Sequence, residues 1–412
     1  MVSLTQEQQN VVDKIADWFH TCNSPKKFFK LGGLAGTGKT TIIPNIIERC
    51  GLRDEVVALA AFTGKAASVI RKKTNGRYIT STIHNLIYSP QEYINEETGK
   101  NEIRFIKKPI LEIPIKLIII DESSMINEEI HNDLLSFNIP VINIGDHGQL
   151  PPVASEFNLM DEDKLDAKLE TIHRQAENNP IIKIAFKIRN NERIPDRLGN
   201  TFLKMKYKDL RDETLLGADQ ILCGKNATRN HLNKIIRELK GFSNKLPTKH
   251  EKVIVLQNNN GFQVYNGQQF YTVGESFQSD VLTFTNQIIE DFLYEDWLKL
   301  DKKLEKEKLN ENGFDIGFLL NSFDSPHVNI RSHPISVRNF IKLDYDILKN
   351  EFEERIYMDF AYAITTHKSQ GSEWEKVLIV DDNFGIWDRE LRKRWLYTAV
   401  TRAKEKLIIA EF

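Results

Sequence analysis

The sequence predicts an α/β protein built from parallel sheets in two successive units. Three observations lead there. Short β-branched runs alternate with helical patterns over the first 150 residues, a glycine loop of phosphate-binding type falls between a strand and a helix, and the strand–helix rhythm restarts near residue 220. The chain has 412 residues, which at roughly 150 per domain implies two or three domains. Hydrophobic residues are 41% and charged residues 28%, which excludes wholesale disorder. Lys plus Arg number 56 and Asp plus Glu 58, a net charge of −2, so any nucleic-acid binding requires a local basic groove. Cys22, Cys50 and Cys223 stand too far apart for a disulfide framework or a four-ligand zinc cluster. The first residues lack a basic segment followed by an apolar one, and no apolar run approaches the ~20 residues that span a bilayer. A soluble protein of the reducing cytoplasm, with no membrane partner, is expected.

Taken in order, residues 28–31 read as a strand entering the glycine loop. Residues 39–50 read as a helix that Pro44 should kink. Residues 55–60 and 65–72 follow as strand and helix. The runs 115–120 and 139–144, apolar but for Lys116 and Asn143, are those of strands covered on both faces. Before them, 88–114 holds the turn signal Asn95-Glu96-Glu97-Thr98-Gly99-Lys100 between extended arms, which predicts an inserted β-hairpin. In the second unit, 220–223, 252–256, 360–364, 376–380 and 406–409 read as strands and 231–239 as a helix. Residues 268–345 break this rhythm and read as a small insert. It carries a charged helical run over 295–311, read as a solvated face.

Gly33-Leu34-Ala35-Gly36-Thr37-Gly38-Lys39-Thr40 matches G-x-x-x-x-G-K-[ST]. In such a loop backbone N–H groups cradle phosphate oxygens, Lys39 meets the β and γ phosphates, and the Thr40 hydroxyl holds Mg²⁺. The competing reading, a chance glycine turn, is weakened by the strand before it and the helix after it. Asp121 and Glu122 end the buried run 117–120, where ligands of α/β sheets bind. Asp121 would serve Mg²⁺ and Glu122 would orient and deprotonate an attacking water. Alone, the pair reads equally well as an acidic turn. Gln149, in Gly145-Asp146-His147-Gly148-Gln149-Leu150-Pro151-Pro152, is placed to sense a γ-phosphate; unaided, an ordinary polar turn is the better reading.

With Asp121-Glu122-Ser123-Ser124-Met125, Ile172-His173-Arg174-Gln175, Thr366-His367-Lys368-Ser369-Gln370-Gly371 and Val400-Thr401-Arg402-Ala403 in this order, the chain resembles the superfamily 1B helicases, within them the RecD-like group. The resemblance runs from Thr5 to Arg402 and is thin over 271–350. It implies two RecA-like parallel-sheet domains, 1–175 and 176–267 with 346–412. It further implies a hairpin pin at 88–114 and an SH3-like β insert at 268–345. It implies ATP and Mg²⁺ as ligands, with Gln8 reading adenine, though Thr5 and Gln8 also read as a helix cap. Thr41, Gly371 and Glu373 fall beside the nucleotide, and Arg174 and Arg402 become the two γ-phosphate arginines. Each arginine reads otherwise as a surface ion pair.

Single-stranded and forked DNA are the implied partners. Phe62, Thr63, Lys65, Thr82 and His84 would touch the strand from the first domain, and Thr365, Thr366, His367 and Lys368 from the second. Phe62 stands where the family has proline; base stacking and core packing both suit it. Phe105 would stack at the fork or simply pack the hairpin. The implied activity is 5′→3′ translocation by a functional monomer, with replication or recombination proteins as candidate partners. A translocase without efficient unwinding and a catalytically dead scaffold are the alternatives. Lys39, Asp121, Glu122 and Arg402 together argue against the scaffold. A nucleotide kinase would not explain the later motifs, and residue types alone do not separate DNA from RNA.

Overall fold

The computed structural model describes residues 4–21, 27–94, 101–111, 114–152, 157–171, 179–243, 247, 250–256, 266–272, 282–284, 286–287, 333–337 and 356–412. They divide into two compact units. One is Met1–Phe202 with Gln370–Glu373 and Gly385–Arg402; the other is Leu203–Ser369 with Trp374–Phe384 and Ala403–Phe412. The first unit runs past residue 175 because the helix Pro180–Arg189 packs on the helix Arg389–Val400, which belongs to the same unit.

The first unit is built on the strands β1 (Phe28–Gly33), β2 (Val57–Ala61), β3 (Ile79–Thr82), β6 (Leu117–Asp121), β7 (Val141–Gly145) and β8 (Ala167–Leu169). They lie in the order β3-β2-β6-β7-β1-β8, and every pairing is parallel. Side chains alternate across a strand, and both faces here are apolar. Val57, Leu59, Leu117, Ile119, Ile142 and Ile144 join one buried cluster with Val11, Ile15, Ile46 and Ile70 from the helices on that side. Ala58, Ala60, Ile118, Ile120 and Val141 join another with Ile83, Ile87, Ile130 and Leu134. That double coverage is why the sequence shows continuous apolar runs.

Pro44 does not kink a helix. Residues Thr40–Ile42 form a 3₁₀ turn and the α-helix begins afresh at Ile43–Arg49, with Pro44 in its first turn. A first-turn N–H has no intrahelical acceptor, so proline costs nothing there.

The expected hairpin is present as β4 (Tyr88–Ile94) and β5 (Asn101–Lys107), antiparallel from Tyr88↔Lys107 to Ile94↔Asn101. Its turn lies outside the described residues. Its base is fastened to the unit: the Tyr88 hydroxyl donates to Asp133 Oδ2 at 2.6 Å and Lys107 Nζ stands 3.2 Å from Asp133 Oδ1.

In the second unit the strands Ala363–Thr365, Gln220–Cys223, Trp374–Asp381 and Ala403–Glu411 lie in that order, each pair parallel. One strand expected in this sheet is elsewhere: Lys252–Val255 pairs with Ile356–Phe360, and both join Gln269–Thr272, Asn286–Gln287, His333–Val337 and Leu282–Phe284 in a separate mixed sheet. The expected strand 360–364 is divided, with Ala363–Thr365 in this sheet and Phe360 ending the strand Ile356–Phe360 of the other. β-Branched runs announce a strand and not its neighbour, so sequence placed 252–255 with the wrong partners. The charged run 295–311 lies outside the described residues. No helix among the described residues is long and apolar enough to cross a membrane.

His131 is buried in the first unit between the rings of Phe28 and Phe157, and no described residue bonds its Nδ1. Burial, assisted by the Lys30 charge, lowers its pKa to about 4. The folded state therefore binds fewer protons than the unfolded one between about pH 4 and an unfolded value near 6.5, and stability rises with pH across that window. Denaturant titrations at pH 7 and pH 5 should show about 1–2 kcal/mol more acid destabilisation in wild type than in His131→Leu. Equal pH dependence in the two would contradict the burial argument.

Candidate active site

The parallel register brings the carboxyl ends of three strands to one edge. Gly32 stands opposite Gly145, and Ala61 opposite Asp121. The loop after β1, the carboxylates after β6 and the turn after β7 therefore adjoin, at the edge where α/β sheets bind ligands.

The loop Gly33–Thr40 has the shape its glycines require. Gly36 and Gly38 adopt φ of +83° and +75°, conformations costly for any residue with a Cβ. Thr37 Oγ1 donates to the Leu34 carbonyl at 2.9 Å and closes the loop from inside. Lys39 Nζ donates to the Gly33 and Leu34 carbonyls at 2.8 and 2.9 Å. Ala35 is half-buried and Thr41 exposed.

Thr40 Oγ1 donates to Asp121 Oδ2 at 2.8 Å. Hydroxyl and carboxylate oxygens are the donors Mg²⁺ prefers, so this pair fits the ion that the loop implies. Among the described residues no three His, Cys, Asp or Glu side chains are grouped to hold a metal.

Glu122 follows at φ +53°, a left-handed conformation strained for a non-glycine residue and typical of functional sites. Burial pushes its carboxyl above the usual carboxylate range. The Arg402 guanidinium opposes that rise and Asp121 adds to it. A raised carboxyl is a stronger base once ionised, which suits a group that takes a proton from water.

The turn after β7 is held from the far end of the chain. Asp146 is buried; its Oδ1 accepts the Gly148 N–H at 2.8 Å and its Oδ2 the Tyr397 hydroxyl at 2.9 Å. Arg394 Nη1 donates to the His147 and Gln149 carbonyls at 3.0 and 3.2 Å. Thr398 Oγ1 accepts the Leu150 N–H at 3.0 Å, and Gln370 Nε2 donates to the Leu150 carbonyl at 3.1 Å. Arg394, Tyr397 and Thr398 share one face of the helix Arg389–Val400 by their three- and four-residue spacing. Gln149 is thereby fixed while its own Oε1, buried, has no bonding partner among the described residues. Such an acceptor calls for a donor such as a water O–H.

Arg402 follows the same helix and is 4% exposed. Its guanidinium donates to the Thr398 and Ser372 carbonyls at 3.0 and 3.3 Å and to Thr401 Oγ1 at 3.0 Å. This is not a surface ion pair; it is a buried cation whose charge reaches Glu122. Gly371 lies against the start of the helix Gly64–Lys73, where an added Cβ would stand 3.2 Å from Ala66 Cβ. Glu373 is exposed, and Arg174 lies outside the described residues.

Gln8 is buried and works as a cap. Its Oε1 accepts the Thr5 N–H at 3.1 Å while Thr5 Oγ1 accepts the Gln8 N–H at 3.2 Å, a reciprocal capping box. Its Nε2 also donates to the Thr37 carbonyl at 3.3 Å, tethering the phosphate loop.

Among the residues expected to meet DNA, Thr63 and Thr82 are helix N-caps, accepting from Ala66 and Asn85. Phe62 is half-buried against the apolar cluster beneath it. The His84 ring stands 6.1 Å from Phe62, 5.5 Å from Tyr88 and 6.4 Å from Phe105, and Phe105 is exposed. Burial lowers the His84 pKa. Nothing is described of the Lys65 side chain. In the second unit Thr365 and Thr366 are buried, the latter donating to the Cys223 carbonyl at 3.3 Å. His367 meets Phe384 edge-on at 5.7 Å, and burial lowers the Lys368 pKa.

Sequence reasoning missed Asp146, Arg394, Tyr397 and Thr398. The available signal was two hydroxyl side chains on a helix face one turn before Arg402.

Two family models match the chain: an AAA domain over residues 3–201 and a UvrD-like helicase C-terminal domain over 360–410. The RecBCD enzyme subunit RecD of Buchnera aphidicola (Schizaphis graminum) is 27% identical across 92% of this chain and 69% of its own length. The ATP-dependent RecD2 DNA helicase of Deinococcus radiodurans is 25% identical across 99% of this chain and 49% of its own. The chain spans 36%, 69% and 49% of the length of three curated relatives it matches. A crystal structure of Bacteroides Pif1 bound to single-stranded DNA has the same fold, with a TM-score of 0.53 at 17% identity over 99% of this chain and 92% of that one.

Gly36→Ala and Gly51→Ala place a Cβ at similar positive φ, +83° and +67°, the second far from the loop. Each should lower stability by about 1 kcal/mol. Titration with a fluorescent ATP analogue should show weakened binding for Gly36→Ala alone. Equal binding by both variants would contradict the phosphate-loop assignment.

Proposed function

We propose that this chain, a member of the RecD-like group of superfamily 1B helicases, hydrolyses ATP to move along single-stranded DNA and separate duplexes. The observation that carries the reading is the Thr40–Asp121 contact, with Glu122 and the Gln149 turn beside it on one sheet edge. Chance glycine turns do not arrive with a hydroxyl bonded to a buried carboxylate 81 positions away.

Each residue has a defined task. The backbone N–H groups of Gly33–Thr41 cradle the phosphates, and Lys39 moves from its resting carbonyls to their oxygens. Thr40 and Asp121 would hold Mg²⁺, which would supply charge neutralisation on the phosphates. Glu122 accepts the proton of the attacking water, and Gln149 orients that water. Arg402, with Arg174, offsets charge on the phosphoryl group in flight. Gln8 ties the phosphate loop to the first helix beside the base. Gly371 and Glu373 flank the nucleotide.

Single-stranded DNA runs over Phe62, Thr63, Lys65, Thr82 and His84 in the first unit and Thr365 to Lys368 in the second. Short hydroxyl side chains and helix N-termini hold phosphate without trapping it, as stepping requires. Phe105, exposed on the anchored hairpin and in ring contact with His84, is the strand-separating residue. Polarity is 5′→3′ by the group's likeness.

The test is ATP-dependent strand displacement on partial duplexes bearing a 5′ or a 3′ tail, with Lys39→Ala as control and ATPase read in parallel. Displacement from the 5′ tail alone is expected, absent in Lys39→Ala. Phe105→Ala should cut displacement severalfold while leaving DNA-stimulated ATPase near wild type, since loss of one stacked ring costs about 1–3 kcal/mol. Displacement from the 3′ tail alone would overturn the polarity. Stimulated ATPase without displacement would favour a translocase, and no ATPase would defeat the motor.

A further inference from the structure

The Tyr397 hydroxyl lies between two groups on which the phosphate loop depends. It accepts the Ala35 N–H at 3.0 Å and donates to Asp146 Oδ2 at 2.9 Å. The side chain is 1% exposed. Burial, then the Asp146 charge, holds the phenol well above the ordinary tyrosine range, so it stays a donor at any physiological pH.

The same Asp146 Oδ2 stands 3.9 Å from Lys39 Nζ, beyond hydrogen-bond distance but within ion-pair range. Asp146 Oδ1 is already engaged by the Gly148 N–H. Lys39 rests on two neutral carbonyls, and a carboxylate is a stronger partner for an ammonium than either. Asp146 is buried, and a buried carboxylate deprived of a donor draws in the nearest cation.

We propose that Tyr397 is a positioning residue that keeps Asp146 from capturing Lys39, so that the ammonium remains available to nucleotide phosphates. Tyr397 touches no nucleotide in this scheme. It acts through the carboxylate, and through Ala35 it sets the distance between the phosphate loop and the Gln149 turn. The inference rests on the nucleotide-binding part of the reading above. It differs from a packing role, for which the ring without its hydroxyl would serve.

The measurement is the dissociation constant of a fluorescent ATP analogue with Mg²⁺, with thermal melts as a folding control. Tyr397→Phe keeps the ring and frees the carboxylate, and should weaken binding about tenfold, the scale of one hydrogen bond to a charged group. Asp146→Asn keeps an acceptor for Gly148 and removes the charge, and should bind at least as tightly as wild type. The double variant should match Asp146→Asn to within about twofold, because the lysine then has nothing to be captured by. Rescue by the second substitution is what a structural role would not produce.

Unchanged binding in Tyr397→Phe overturns the proposal. So does a loss that persists undiminished in the double variant. Should Tyr397→Phe fail to fold, Asp146→Asn decides alone: binding at or above the wild-type affinity supports the proposal, and weaker binding overturns it. Wild-type protein that binds the analogue without hydrolysing ATP would defeat the motor reading and leave this test intact. Wild-type protein that binds no nucleotide defeats both.

Discussion

The parallel register of the first sheet is the constraint from which the site follows. Five parallel pairings align six strands, so their carboxyl ends share an edge. Shifting β6 against β2 by one residue would exchange the faces of Ile118 and Ile119, which belong to opposite apolar clusters. Burial on both faces thus fixes the register, and the register fixes where Asp121 and Asp146 stand relative to the phosphate loop. The chemistry inherits its geometry from hydrophobic packing that has no chemistry of its own.

Onto that edge the chain returns a single helix. Arg389–Val400 sends Arg394, Tyr397 and Thr398 to the turn 146–150 and places Arg402 at its own carboxyl end. The turn 146–150 and the buried arginine are therefore both tied to one helix. Buried carboxylates, a buried guanidinium and a strained Glu122 would each be costly alone. Here Asp146 is bonded by Gly148 and Tyr397 and Arg402 by Thr398, Ser372 and Thr401, while the buried Gln149 Oε1 has no bonding partner among the described residues.

Much of this was legible in the sequence, and the reasons divide cleanly. The phosphate loop, Asp121-Glu122 and the hairpin are contiguous signals, each set by local backbone chemistry or by the end of an apolar run. Pro44 was misplaced because sequence gives the cost of proline inside a helix but not the option of starting the helix one residue earlier. The strand Lys252–Val255 was legible as a strand and illegible as the neighbour of Ile356–Phe360, since pairing is decided by distant residues. Tyr397 was overlooked for the same reason: its two partners lie 362 and 251 positions away. Gln8 carried two readings at once, and the structure shows the cap and adds a tether to Thr37 that no local pattern reveals.

The central claim is that this edge cleaves a γ-phosphate rather than merely holding a nucleotide. Single-turnover ATP hydrolysis and nucleotide affinity, measured together in wild type and Arg402→Ala, test it most directly. The account predicts affinity changed by no more than a few-fold and a hydrolysis rate lowered about 10³-fold or more, the scale of a γ-phosphate arginine. Undiminished hydrolysis in Arg402→Ala would contradict it.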